Sequence, residues 1–168
     1  MNMSEVEHIL LSELLQWYRL QRHDFLNHWQ VIMGNLQLGQ PEKALAYMRE
    51  MIAEPAEEQK IAQIPVPQFA AILLSFIIRL REKNILATID FPEEMKQEDF
   101  WQDHWREEYV AGLYGYTKEC IEVSSDYRGQ SGKLNAEVFL YDEPRGLSCQ
   151  FILLDEENVL WDKMAKFM

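Results

Sequence analysis

His23 is the residue in this chain best placed to do chemistry. Asp24 follows it directly, Asn27 lies four residues on and Arg19 four residues back. A neutral imidazole is a usable nucleophile near neutral pH. On a helix, side chains at i±4 can reach the same ring, so Arg19 and Asn27 could both attend it. Gln16 and Gln30 share that face. An outward imidazole on a rigid helix, ringed by hydrogen-bonding groups, offers a nucleophilic nitrogen to another protein. The plainer reading, an ordinary solvated face, fits Gln16, Gln30 and Arg19 equally well.

The element that must position these groups is a long helix. Leu11, Leu15, Tyr18, Phe25, Trp29, Ile32 and Leu36 follow a four-three spacing, broken at Arg22. That is the seam of a packed bundle or coiled coil. At about 100° per residue, His23 points roughly 120° from the centre of this stripe, towards solvent. His28 lies about 140° further round, so the two rings cannot share a metal on a straight helix. Ser4 with Glu7 reads as the capping box, and Gly39 as the stop near Leu38. After Gly39-Gln40-Pro41, a second helix carries Ala44, Leu45, Met48, Met51 and Ile52 on one face, with Pro55 interrupting it. Two antiparallel helices bury little alone. Either two copies of the hairpin form a four-helix bundle in a homodimer, or the C-terminal half of the chain covers the stripe.

The run Arg22-His23-Asp24-Phe25-Leu26-Asn27-His28-Trp29-Gln30, continuing to Gly34-Asn35-Leu36, resembles the phosphoacceptor helix of the sporulation initiation phosphotransferase B family. It is similar, more distantly, to the dimerisation helix of citrate- and dicarboxylate-type sensor histidine kinases. The resemblance implies that His23 accepts a phosphoryl group from a response-regulator aspartate and passes it to another. Asn27 and Arg19 would then contact the ring or the phosphoryl oxygens, Asp24 would fix the ring tautomer, and Leu20 would help dock the partner. Such a protein brings no cofactor of its own, because magnesium comes with the acidic pocket of the receiver domain.

Ile64-Pro65-Val66-Pro67 reads as a stiff linker, which divides the chain into a helical hairpin, 1–64, and a second domain, 65–168. Phe69 to Leu80 predicts a helix, and Ile85, Ala87, Ile89 and Phe91 predict a strand. Trp105, Tyr109, Leu113, Tyr116 and Cys120 predict one helix from Gln97 to Val123. Leu134–Leu140 and Leu147–Leu153 alternate as a hairpin around Asp142–Gly146, and a short closing helix is expected after Asn158. The fold class is therefore α+β, the second domain a small α/β layer. It resembles the ATP-binding domain of a histidine kinase, but in degenerate form. Its long helix contains no Asn for magnesium, and Asp155-Glu156-Glu157 is not Asp-x-Gly. Gly129-Gln130-Ser131-Gly132-Lys133 is too short for a P-loop.

Composition narrows the partners. The 168 residues are 48% hydrophobic, as globular chains are, and carry a formal charge of −12, which argues against nucleic acid and against an anionic membrane surface. No apolar run reaches the ~18 residues of a membrane span, and no signal peptide is visible at the N-terminus, so a cytoplasmic protein is expected. Cys120 and Cys149 lack metal-ligand spacing. The expected function is a dimeric histidine phosphotransferase of a phosphorelay. The alternative is a non-catalytic docking or regulatory protein of a two-component system.

Overall fold

The computed structural model describes residues 1–53, 57–127 and 133–168. The chain forms two compact units, Ser12–Ala56 and Met1–Leu11 together with Glu57–Met168. This differs from the expected division after residue 64, because the first turns of the long helix and the segment from Glu57 pack with the C-terminal residues. The architecture is α+β.

Helix α1 runs over Met3–Gln37. Its capping box sits two residues before the expected one. The Glu5 N–H donates to Asn2 Oδ1 and the Asn2 N–H to Glu5 Oε2, both at 2.9 Å, so Asn2 and not Ser4 is the cap. At the other end Gly39 takes φ 68°. Its N–H donates to Leu36 O, and that of Gln40 to Asn35 O, which satisfies two of the last carbonyls in a Schellman turn. Helix α2, Pro41–Ala53, follows at once, with Pro41 at a position where no amide hydrogen is needed.

In the larger unit, α3 (Glu57–Ile61), α4 (Pro67–Glu82), β1 (Leu86–Asp90), α5 (Glu98–His104), α6 (Tyr109–Asp126), β2 (Leu134–Glu143), β3 (Gly146–Asp155) and β4 (Asn158–Phe167) follow in order. The sheet order is β1-β2-β3-β4. Strands β1 and β2 are parallel, joined through α5 and α6, and the other pairs are antiparallel. Phe69, Ile72, Phe76 and Leu80 of α4 and Leu113 and Cys120 of α6 are buried with Phe151 and Leu153 of β3 in one core. Phe76 and Phe151 ring centroids lie 5.4 Å apart. Val6 and Leu10, from the start of α1, are buried in the same cluster. The exposed edge of β1 is closed by side chains: the Ile89 N–H donates to Glu57 Oε2 at 2.8 Å and Lys60 Nζ donates to Ile89 O at 3.4 Å. That blunts a sheet edge that would otherwise invite strand pairing.

Two expectations are corrected. The helix expected from Gln97 to Val123 is broken at Trp105, whose backbone is extended. Trp105 turns inward to stack on Phe69, and it also meets Trp101 and Tyr109, the two contacts that an unbroken helix would have suggested. The segment after Asn158 is strand β4, not a helix. From Trp161 onward it alternates, with Trp161, Lys163, Ala165 and Phe167 half-buried and Asp162, Met164 and Lys166 exposed. The segment Gly129–Gly132 lies outside the described residues.

The start of β3 has no room for a side chain. A Cβ on Gly146 would overlap the Phe167 carbonyl oxygen, whereas one on Gly115, within α6, would meet nothing within 4 Å. Gly146→Ala should therefore lower stability by about 1–3 kcal/mol, while Gly115→Ala should raise it by up to about 1 kcal/mol. Thermal unfolding of the two variants checks the contrast, and equal melting temperatures would contradict the tight packing of β4 on the hairpin.

Candidate functional site

The Ser12–Ala56 unit holds the residues that the sequence singled out. His23 and Asp24 side chains are 74% and 70% exposed, so the imidazole is available to a partner. Two groups meet its Nδ1. Asn27 Nδ2 is 3.4 Å away and Asp24 Oδ1 is 3.5 Å away. Both are long contacts, of modest strength in water. They oppose one another chemically. An amide N–H needs a lone pair on Nδ1 and so selects the Nε2–H ring; a carboxylate needs Nδ1–H and so leaves the lone pair on Nε2. Nε2 itself has no hydrogen bond among the described residues. The tautomer with its lone pair on Nε2 is the one that can attack an electrophile there.

The helical-wheel angle between His23 and Asp24 places the carboxylate well off the His23 direction. The structure nonetheless brings it as near as Asn27, because the wheel describes where Cβ points and not where a flexible side chain ends. Arg19 is exposed and makes no hydrogen bond or ion pair among the described residues, so its guanidinium is available but is not gathered around the ring. Gln16, Leu20 and Gln30 are exposed as well.

A second feature of this unit joins the two apolar faces read from the sequence. Helices α1 and α2 leave a groove lined by Phe25, Trp29, Ile32, Met48, Met51 and Ile52, with His28 beside them. Ile32 and Ala44 are buried, yet Phe25 remains 53% exposed and Trp29 47%. His28 Nδ1 lies 2.6 Å from Tyr47 Oη. The helical period showed His28 on the flank of α1, but its partner depends on how α2 packs. In the other unit, burial pushes the Cys120 thiol up to about 12 and raises Cys149 further. Neither is a nucleophile near neutral pH.

Residues 1–64 match the model of the sensor-kinase SpoOB-type alpha-helical domain. This segment is similar to that domain. Over 67 residues the chain is 31% identical to sporulation initiation phosphotransferase B of Bacillus subtilis (strain 168). The aligned part is 40% of this chain and 35% of that protein, so the chain matches about a third of the length of its curated relative. The matched segment contains the exposed His23, its two Nδ1 neighbours and the apolar groove. Among the described residues, no helix is long and apolar enough to cross a membrane.

The competition at Nδ1 is measurable. Asp24→Ala removes the acceptor and leaves Asn27 beside the ring, so the neutral imidazole should shift towards the Nε2–H form. Imidazole ¹⁵N chemical shifts at a pH where the ring is neutral report this directly. An unchanged tautomer ratio would show that Asp24 does not govern it.

Proposed function

We propose that this protein is a histidine phosphotransferase of a phosphorelay, with His23 carrying the phosphoryl group between response-regulator aspartates. The observation that carries the reading is the exposed His23 ring, with Nε2 unencumbered, inside the segment that matches the SpoOB-type helical domain. The similarity to a protein named as a phosphotransferase supports it. A phospho-aspartate is an acyl phosphate. The Nε2 lone pair of neutral His23 attacks phosphorus in line, the bond from phosphorus to the acyl oxygen breaks, and the first regulator recovers its carboxylate. The phosphoramidate is then attacked by a carboxylate oxygen of the second regulator. The P–N bond breaks and its electron pair returns to the ring. Asp24 holds the proton on Nδ1 during the first attack, Asn27, which cannot donate to a protonated Nδ1, turns its amide N–H to a phosphoryl oxygen, and Arg19 can balance the added negative charge. Magnesium arrives with the receiver domain, and no ATP-dependent step is part of the proposal.

The apolar groove fits the same reading. A second copy of this chain covers it, so that two hairpins close a four-helix bundle. Exposed aromatic and methionine side chains on both helices give an isologous contact the apolar core it requires.

His23→Ala should abolish acceptance of phosphate from a phosphorylated regulator while helix content and self-association stay as in the wild type, because the exposed ring contributes little packing. Asn27→Ala should slow transfer without stopping it. The readout is acid-labile, alkali-stable phosphate on the chain. A His23→Ala protein that still accepts phosphate would overturn the reading. Binding of a regulator with no transfer by the wild type would favour the docking alternative.

The bundle has its own test. Phe25→Glu places a charge in the groove without disturbing the buried Ile32, and burying it unpaired costs several kcal/mol. Sedimentation should show monomers that keep their helix content. A wild type that is already monomeric at micromolar concentration rules the bundle out.

A further inference from the structure

The sheet has two edges, and the chain treats them differently. At β1 the Ile89 main chain is taken by Glu57 and Lys60. At the other edge β4 pairs with β3 alone. Leu160 has no partner on β3, and beyond it Trp161–Phe167 pairs without interruption. Tyr127 and Tyr116 hydroxyls donate to the Leu160 and Lys163 carbonyls. Among the described residues, no side chain hydrogen-bonds to the main chain of Asp162, Met164 or Lys166. Those three side chains are exposed on one face, and Trp161, Lys163, Ala165 and Phe167 are half-buried on the other. Laid antiparallel on a second copy of itself, with facing side chains on the same side of the joined sheet, this stretch is self-complementary in one register. Centred on Met164, each Asp162 opposes Lys166 of the second copy, and each Trp161 opposes Phe167. Centred on Asp162, Lys163 or Lys166, the strands would oppose like charges. Centred on Trp161, Ala165 or Phe167, they would pair no opposite charges.

We propose that β4 is a homotypic docking edge, to which a second copy of this chain adds its own β4 antiparallel in the register centred on Met164. The contact lies within the larger unit and does not rest on the bundle proposed above. Main-chain hydrogen bonds along the edge hold the two strands, and the charged and aromatic pairs set the register. Present neighbours leave the charges free to pair. Asp162 Oδ1 accepts from Gln150 Nε2 at 2.9 Å, and Lys166 Nζ lies 3.2 Å from Glu143 Oε1, but a carboxylate has a second oxygen and an ammonium three donors. Lysines on an edge ordinarily repel a second strand. Here Asp162, four residues from Lys166, turns the repulsion into a match. The pairing is isologous and small, so association is weak.

The test cross-links the full chain at high protein concentration with a short bis-maleimide. Every variant also carries Phe25→Glu, so that the helical groove adds no association. Met164→Cys places a thiol opposite its own copy, about 5 Å away. Val159→Cys is the control, an exposed position outside the paired stretch, and the native Cys120 and Cys149 are buried. Met164→Cys should give covalent dimers and Val159→Cys should not. Adding Lys166→Glu to Met164→Cys should lower the dimer yield about tenfold, because two opposite-charge pairs become like-charge pairs. Adding Asp162→Lys as well should restore the yield, since the reversed charges match again. Lys166→Glu also loses its contact with Glu143, so thermal unfolding checks that each variant stays folded. Should it unfold, Asp162→Lys alone decides, because it sets lysines opposite one another and keeps the Glu143 pair. Equal cross-linking at the two cysteine positions, or cross-linking that ignores the charge reversals, would overturn the proposal. Sedimentation that Phe25→Glu leaves unchanged would count against the bundle alone, and the cross-linking would still judge β4.

Discussion

A helix of 35 residues needs packing as well as propensity to hold in water, and α1 finds it at few positions, since Leu11, Leu15, Tyr18, Phe25, Trp29 and Leu36 remain exposed. Everything of interest in this chain depends on how α1 meets that requirement. Val6 and Leu10 are buried with the C-terminal residues, and Ile32 is buried with α2. Between these two anchored stretches lies the polar turn of Arg22, His23 and Asp24. The backbone there is held by helix geometry on both sides, so an exposed imidazole can be presented in a fixed direction without being packed. Exposure and order usually oppose each other. A continuous helix reconciles them.

The same requirement explains what the sequence made legible. The Gly39 stop, Pro41 and the alternation of Leu134–Leu140 against Leu147–Leu153 each correspond to an element of the structure, and the four-three stripe lies on α1, where Ile32 is buried and its other six residues are exposed. What escaped lies where periodicity is silent or ambiguous. Trp101, Trp105 and Tyr109 are spaced as one helical stripe and do cluster, but through a break that lets Trp105 reach Phe69. Strand β4 buries Lys163 and Ala165 on its inward side, as the stems of long side chains permit, so its alternation carries little hydrophobic contrast. Ser4 and Asn2 both begin capping boxes in the sequence, and only geometry shows which one closes.

At the site, residue types and spacing named the groups around His23 but not the distances between them. Asn27 at i+4 was expected near the ring, and it lies 3.4 Å from Nδ1. Asp24, next in the chain and expected to fix the ring tautomer, lies at 3.5 Å. Arg19, also at i±4, makes no contact with the ring, because a long exposed side chain gains little by giving up its freedom. Tyr47 could not be found from the sequence, because the packing of α2 on α1 decides which hydroxyl meets His28.

Charge distribution bears on how an anionic partner would approach His23. Between Ser12 and Ala56 the acidic residues are Glu13, Asp24, Glu42, Glu50 and Glu54, and the basic ones Arg19, Arg22, Lys43 and Arg49, so this unit is nearly neutral while the chain as a whole carries −12. Receiver domains present an acidic pocket with a bound divalent cation, and a phosphoryl group adds further negative charge. Such a surface is repelled by most of this protein, and over a Debye length of about 8 Å that repulsion is felt only locally. The helical unit escapes it. Two of its four basic residues flank His23, at positions 19 and 22, so the one stretch that offers a nucleophile is also one where an incoming phosphoryl group meets positive charge. A uniformly acidic chain would have to offset that repulsion with contact area; on the proposed function, the charge pattern here would favour encounter at the imidazole over encounter elsewhere.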